Sequence, residues 1–215
     1  MKNKYIPVYY DALEEKINVV SHAFGLFASI IAFVLLLIKS IAEGTFLQKI
    51  SFIVFGISLI ILYAASTFYH ASKDVELRKR LNIFDHASIY VLIAGTYTPF
   101  TLVTLHGKIG WWIFAINWLL AITGVILKLF FTGKYDKLST IMYVLMGWMI
   151  VVAIKPLIHS LGHQGLLWLF AGGIAYTVGA VFYSIPKIKY NHAIFHVFVL
   201  LGSFAHFVAV YFYVK

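Results

Sequence analysis

The chain has 215 residues, 62% hydrophobic and only 12% charged, with a mean hydropathy of +0.91; that balance excludes a water-soluble globular protein and fits a polytopic membrane protein. It holds no cysteine, so disulfides, thiolate metal sites and cysteine nucleophiles are excluded, and any transition-metal site must be built from histidine and carboxylate, which favours zinc or a similar borderline ion. The formal charge of +9 has no basic stripe or soluble domain to carry it to a nucleic acid, and loop cations facing anionic headgroups explain it better.

The N-terminal segment mixes Lys2, Lys4, Asp11, Glu14, Glu15 and Lys16 and shows no cleavable leader. Apolar runs of spanning length follow at 18–38, 46–70, 83–104, 110–130, 138–158, 165–185 and 192–214. Each is about 20 residues, enough at 1.5 Å per residue to cross about 30 Å of hydrocarbon. None alternates like a barrel strand. The expectation is an all-α integral membrane protein, a seven-transmembrane helix bundle forming a single domain over 1–215. Thr98-Pro99 predicts a kink or helix end in the third run, because proline removes a backbone donor. Ala171, Ala175 and Gly179 predict a small-residue seam on the sixth.

Orientation follows from the cations. The N-terminus and the second, fourth and sixth connections hold Lys2, Lys4, Lys16, Lys73, Arg78, Lys79, Arg80, Lys128, Lys134, Lys137, Lys187 and Lys189. The opposite side holds Lys39, Lys49, Lys108, Lys155 and Lys215. The positive-inside rule then places the N-terminus in the cytoplasm and the C-terminus outside, in a cell inner (plasma) membrane.

That topology brings five polar positions to one membrane layer: Ser66 and His70 at the end of the second run, Asp85 at the start of the third, and His192 and His196 at the start of the seventh. His192 and His196 are one helical turn apart, a spacing that lets two imidazoles grip one ion. Asp85 is the only acidic residue inside the apolar runs, and a buried carboxylate needs a partner. Three imidazoles and a water make the open tetrahedral arrangement of catalytic zinc, and a carboxylate beside it can hold that water and take its proton. Ser66, one turn before His70, faces the same way and could donate to a substrate oxygen; alone, it would be expected to bond back to the Leu62 carbonyl. The competing reading is a structural network of hydrogen-bonded histidines. His22 is expected to support the site or the packing. His86 points about 100° away from Asp85 around the helix, and His206 lies about 15 Å deeper than His196, where a tyrosine or serine is its expected partner. His106, His159 and His163 belong to outer connections.

These residues sit in segments that resemble the bacterial hemolysin III family, the prokaryotic branch of the progestin and adipoQ receptor group. The matching stretches are Asn18-Val19-Val20-Ser21-His22-Ala23-Phe24-Gly25, Ser66-Thr67-Phe68-Tyr69-His70 and Phe84-Asp85-His86-Ala87-Ser88-Ile89-Tyr90. Further matches are Ile93-Ala94-Gly95-Thr96-Tyr97-Thr98-Pro99-Phe100, Met146-Gly147-Trp148, Gly172-Gly173-Ile174-Ala175-Tyr176 and Asn191-His192-Ala193-Ile194-Phe195-His196. The resemblance covers nearly the whole chain in order. It extends to a superfamily that includes alkaline ceramidases. It implies that His70, His192 and His196 bind zinc, that Asp85 contacts the zinc water, and that Ser66 belongs to the same site. Receptor relatives carry a larger N-terminal region than the 17 or so residues before the first run here, so hormone reception does not carry over.

Three functions follow as expectations. The first is a zinc-dependent, ceramidase-like hydrolase of a membrane lipid amide or ester, with Asp85 as general base. The second is a non-catalytic sensor or regulator of membrane lipid state, with zinc serving structure. The third, cytolysis, comes only from the family name; no polar path crosses the whole bundle.

Overall fold

The computed structural model describes residues 8–215; Lys2 and Lys4 lie outside the described residues. The helices are α1 (Ala12–Glu43), α2 (Phe46–Ala71), α3 (Val75–Pro99), α4 (Gly107–Phe131), α5 (Asp136–Trp148), α6 (Ile154–Tyr183) and α7 (Asn191–Tyr213). Among the described residues there is no strand. Six helical stretches are long and apolar enough to cross a membrane, one of them 47 residues long from Lys137 to Tyr183.

Helix starts are set by capping acids rather than by hydropathy. The Asp11 carboxylate accepts from the amides of Leu13 and Glu14 at 3.0 and 2.9 Å, so α1 begins ahead of its apolar run. Asp74 likewise accepts from the Leu77 amide at 2.7 Å and starts α3 ahead of its run. Glu14, Glu15 and Arg78 therefore stand on the first turns of rigid helices, not in loops. Most of the other cations named above are helical as well; among them, Lys39 on α1 donates to the Tyr211 carbonyl, and Lys128 is buried on α4.

Pro99 ends α3 as an α-helix, and the chain continues as a π-helix over Phe100–Leu105. The Tyr97 carbonyl there accepts from the Phe100 amide and from Thr101 Oγ1, the latter at 2.8 Å.

The 47-residue stretch does not run straight. Trp148 Nε1 donates to Thr177 Oγ1 at 2.9 Å, and the Trp148 and Phe170 rings are 6.0 Å apart. In an unbroken helix Trp148 and Thr177 would stand about 43 Å apart. The chain folds back at Gly162, whose φ of 71° and ψ of 169° are the one non-helical conformation inside α6. That hinge lies between the fifth and sixth apolar runs.

The seam between α6 and α7 differs from the expected one. Ala171 is exposed. Gly179 is at the contact as expected, but its companions are Gly172 and Gly165, seven residues apart, and the three meet Phe198, His206 and Tyr213 in antiparallel order. A spacing of seven returns to the same helix face after two turns, which four does not sustain. A Cβ at Gly179 would sit 2.9 Å from Phe198 Cβ, and one at Gly165 2.9 Å from Tyr213 Cβ.

Gly162→Ala should lower stability by about 1–3 kcal/mol, because an L side chain pays for that backbone although no atom lies within 4 Å of its Cβ. Gly147→Ala, equally uncrowded but on regular helix, should be neutral or slightly stabilising. Thermal unfolding of the two variants in detergent separates the backbone effect from the added methyl.

Candidate metal centre

His70 stands at the end of α2, and His192 and His196 occupy the first two turns of α7. Their Nε2 atoms converge: His70 to His192 is 3.1 Å and His196 to His192 is 3.0 Å. All three side chains are buried.

α1 holds the other two helices in register. Glu15 Oε2 lies 2.8 Å from His70 Nδ1, and Glu15 Oε1 accepts from the Arg78 guanidinium and from the Tyr10 amide at 3.1 Å. Arg78, 1% exposed, also donates to the carbonyls of Tyr69, His70 and Ser72 at 3.2–3.3 Å and of Val8 at 3.0 Å. One guanidinium thus closes the C-terminal end of α2 and ties down the chain ahead of α1. Its plane stacks between Tyr9 and Tyr69, 4.3 and 4.6 Å from the ring centroids. Glu14, also buried, accepts from the amides of His192 and Ala193 at 3.2 and 3.4 Å. α7 has no side-chain cap of its own, since Tyr190 precedes it in a left-handed conformation. The α1 carboxylate supplies that cap and places negative charge at the positive end of the helix dipole. Tyr10 stacks its ring on His192 at 4.6 Å, and burial raises its phenol above the ordinary tyrosine range, so the ring covering the imidazole is neutral.

This donor set fits a cation. With Glu15 accepting from His70 Nδ1, the tautomer that metal binding needs is the favoured one, with the His70 Nε2 lone pair turned to the other two rings. A single hydrogen at His192 Nε2 can serve His70 or His196, not both well, and a His196 hydrogen leaves His70 and His192 lone pair to lone pair. A cation satisfies all three nitrogens at once. The carboxylate behind His70 is the usual partner that fixes a ligand's tautomer and orientation. Among the described residues His70, His192 and His196 are the one group of three or more such side chains whose ligand atoms fall within 4.8 Å of one another.

A cavity of about 120 Å³ opens beside them, lined by His22, Ser66, Asp85, His192 and His196 and continuing past Ile89, Ile93 and Val199 to Tyr97, Tyr176 and His206. Ser66 Oγ has no hydrogen-bond partner among the described residues; the expected bond to Leu62 is not made, and the hydroxyl is left at the cavity wall. His22 lies flat against His196, 3.5 Å between ring centroids. His86 also lines the cavity but stands outside the three-histidine group. His206 bonds through Nε2 to the Leu169 carbonyl at 3.1 Å, not to a tyrosine or serine. His106, His159 and His163 are exposed.

Glu14, Glu15, Arg78 and Tyr10 are the participants the apolar runs did not reveal. Their signal was local: Asp11 followed three residues later by Glu14 is a capping pattern, which marks a helix starting before the hydrocarbon does.

Fold and site together define a multi-pass helical membrane protein with a buried three-histidine group able to hold a metal ion. The chain belongs to the haemolysin-III-related family, whose model matches residues 10–207. It is 47% identical over 201 residues to Hemolysin-3 of Bacillus cereus, covering 94% of this chain and 92% of the relative. It is 45% identical over 200 residues to the Hemolysin-3 homolog of Bacillus subtilis (strain 168), covering 93% and 94%. It is 29% identical over 220 residues to the Monocyte to macrophage differentiation factor of Homo sapiens, covering 98% and 87%, a likeness that extends to the progestin and adipoQ receptor group.

Glu15→Gln should weaken metal binding about 10- to 100-fold, the range for removing a carboxylate that orients a ligating histidine. Competition with a chelator of known affinity, read by metal retained per chain, checks this; unchanged retention would leave Glu15 a packing role only.

Proposed function

We propose that the protein is a zinc-dependent hydrolase of an amide or ester bond in a membrane lipid. The observation that best supports this is the joining of two features in one cavity: a polar end carrying His192, His196, Asp85 and Ser66, and a long apolar continuation able to take a hydrocarbon chain. His70, His192 and His196 hold the ion. Bound zinc brings a water near pKa 7 and polarises a carbonyl. Asp85 accepts the proton of the attacking water at its carboxylate and returns it to the leaving group. The Ser66 hydroxyl, without a hydrogen-bond partner among the described residues, donates to the substrate carbonyl oxygen. Glu15 and Glu14 hold His70 and His192 in place.

In this reading the bundle is a single domain that crosses the membrane seven times, the 47-residue stretch passing out and back about Gly162. The N-terminus lies in the cytoplasm, the C-terminus outside, and the membrane is the inner (plasma) membrane. The cation distribution supports that orientation. The substrate enters from the lipid phase. The name Hemolysin-3 borne by two relatives raises cytolysis as another property; dye release from liposomes by purified protein tests it separately.

Asp85→Asn should keep metal and thermal stability while lowering lipid turnover by about 10²-fold or more. Lipid species compared in cells expressing native protein, Asp85→Asn or His196→Ala at equal levels provide the readout. A native profile with Asp85→Asn, and loss of fold on metal removal, would support a lipid sensor with structural zinc instead.

A further inference from the structure

Far from the three histidines, several buried polar atoms have no hydrogen-bond partner among the described residues, and two of them, His206 Nδ1 and Thr96 Oγ1, belong to residues that line the cavity. Both line the main cavity, and both also border a smaller space of about 20 Å³ that adjoins its far end. The hydroxyls around them are engaged. Tyr97 Oη donates to the Gly147 carbonyl at 2.9 Å and accepts from the Ile150 amide at 2.8 Å. Tyr176 Oη and Ser203 Oγ are paired at 2.8 Å.

The chemistry of the pair is defined. His206 Nε2 points at the Leu169 carbonyl and so carries the hydrogen, which leaves Nδ1 as the acceptor of the neutral ring. Thr96 offers one hydroxyl hydrogen and acceptor capacity. Gly172 is what admits the ring, because any Cβ there would collide with His206. Leaving such groups buried without partners is costly, and native interiors rarely do so without a ligand or water in reach.

Their distance from the metal end is set twice. His206 is ten residues beyond His196 on α7, and Thr96 is eleven beyond Asp85 on α3, which is about 15 and 16 Å at helical rise. The cavity therefore has two polar poles at a fixed separation, with apolar walls such as Ile93 and Val199 between them.

We propose that this far pole is a hydroxyl-binding subsite. A ligand hydroxyl donates to His206 Nδ1 and accepts from Thr96 Oγ1, so the cavity selects an amphiphile with polar groups at both ends of its chain. The inference rests on the lipid-cavity reading above and narrows its ligand to a hydroxylated chain. A resident water offers the same hydrogen bonds, and a chain long enough to reach from the histidines distinguishes the two.

The test is binding of ω-hydroxydodecanoate against dodecanoate, measured by calorimetry on the full-length protein in detergent, with metal content recorded on the same samples. The native protein should prefer the hydroxylated chain about tenfold, the worth of one well-placed hydrogen bond. His206→Phe and Thr96→Val should each abolish the preference while still binding dodecanoate. Equal affinity of the native protein for both, or a preference that survives both substitutions, would overturn the subsite and leave a water there. A hydroxyl preference in protein that holds no metal and hydrolyses nothing would uphold the subsite while removing the hydrolase.

Discussion

The structure depends on one ion pair, between a buried arginine and a partly buried glutamate. Glu15 of α1 meets Arg78 of α3, and the same carboxylate holds His70 of α2. A charge in an apolar bundle is tolerable only when it is paired and hydrogen-bonded. Arg78 pairs with Glu15 and donates from its two terminal nitrogens to four backbone carbonyls, and in doing so it closes α2 and fixes the segment before α1. Glu14, the neighbour of Glu15, reaches the other way and caps α7. Two successive acids on one helical turn therefore position all three converging imidazoles. Removing Glu15 leaves the Arg78 charge buried and unpaired, so the site and the fold of this end of the bundle stand or fall together.

From that end the architecture opens toward hydrocarbon. The Gly165, Gly172 and Gly179 face lets α6 lie close against α7, and the fold-back at Gly162 returns α6 alongside α5. Between these helices and α3 remains the space that begins at His192 and ends at His206. The family match and the three-histidine group agree on a membrane protein with a candidate metal site. The shape of the cavity is what points from metal binding toward lipid chemistry.

Much of this was legible in the residues. Hydropathy located the apolar helices, including the break at 159–164 where Gly162 turns the chain, and helical spacing paired His192 with His196. Topology alone brought His70 to the same end, because a second helix running one way and a seventh running the other meet there. The features hydropathy does not carry are polar by nature. Glu14, Glu15 and Arg78 carry charges that a hydropathy window assigns to connections, although α1 and α3 start several residues before hydrocarbon does. The Ala171 seam failed because a four-residue repeat drifts around a helix whereas a seven-residue one does not. His206 finds the Leu169 carbonyl of α6 rather than a tyrosine or serine, because the partner of a side chain depends on the neighbouring helix, which spacing along one helix does not encode.

The central claim is that the three imidazoles hold one metal ion, and metal content tests it most directly. Mass spectrometric metal analysis of detergent-purified protein, beside a variant with His70, His192 and His196 all replaced by alanine, should give about one zinc per native chain and none in the variant. A well-folded native protein that retains no metal would contradict the account, leaving the histidines as a hydrogen-bonded packing network and removing the basis for hydrolysis.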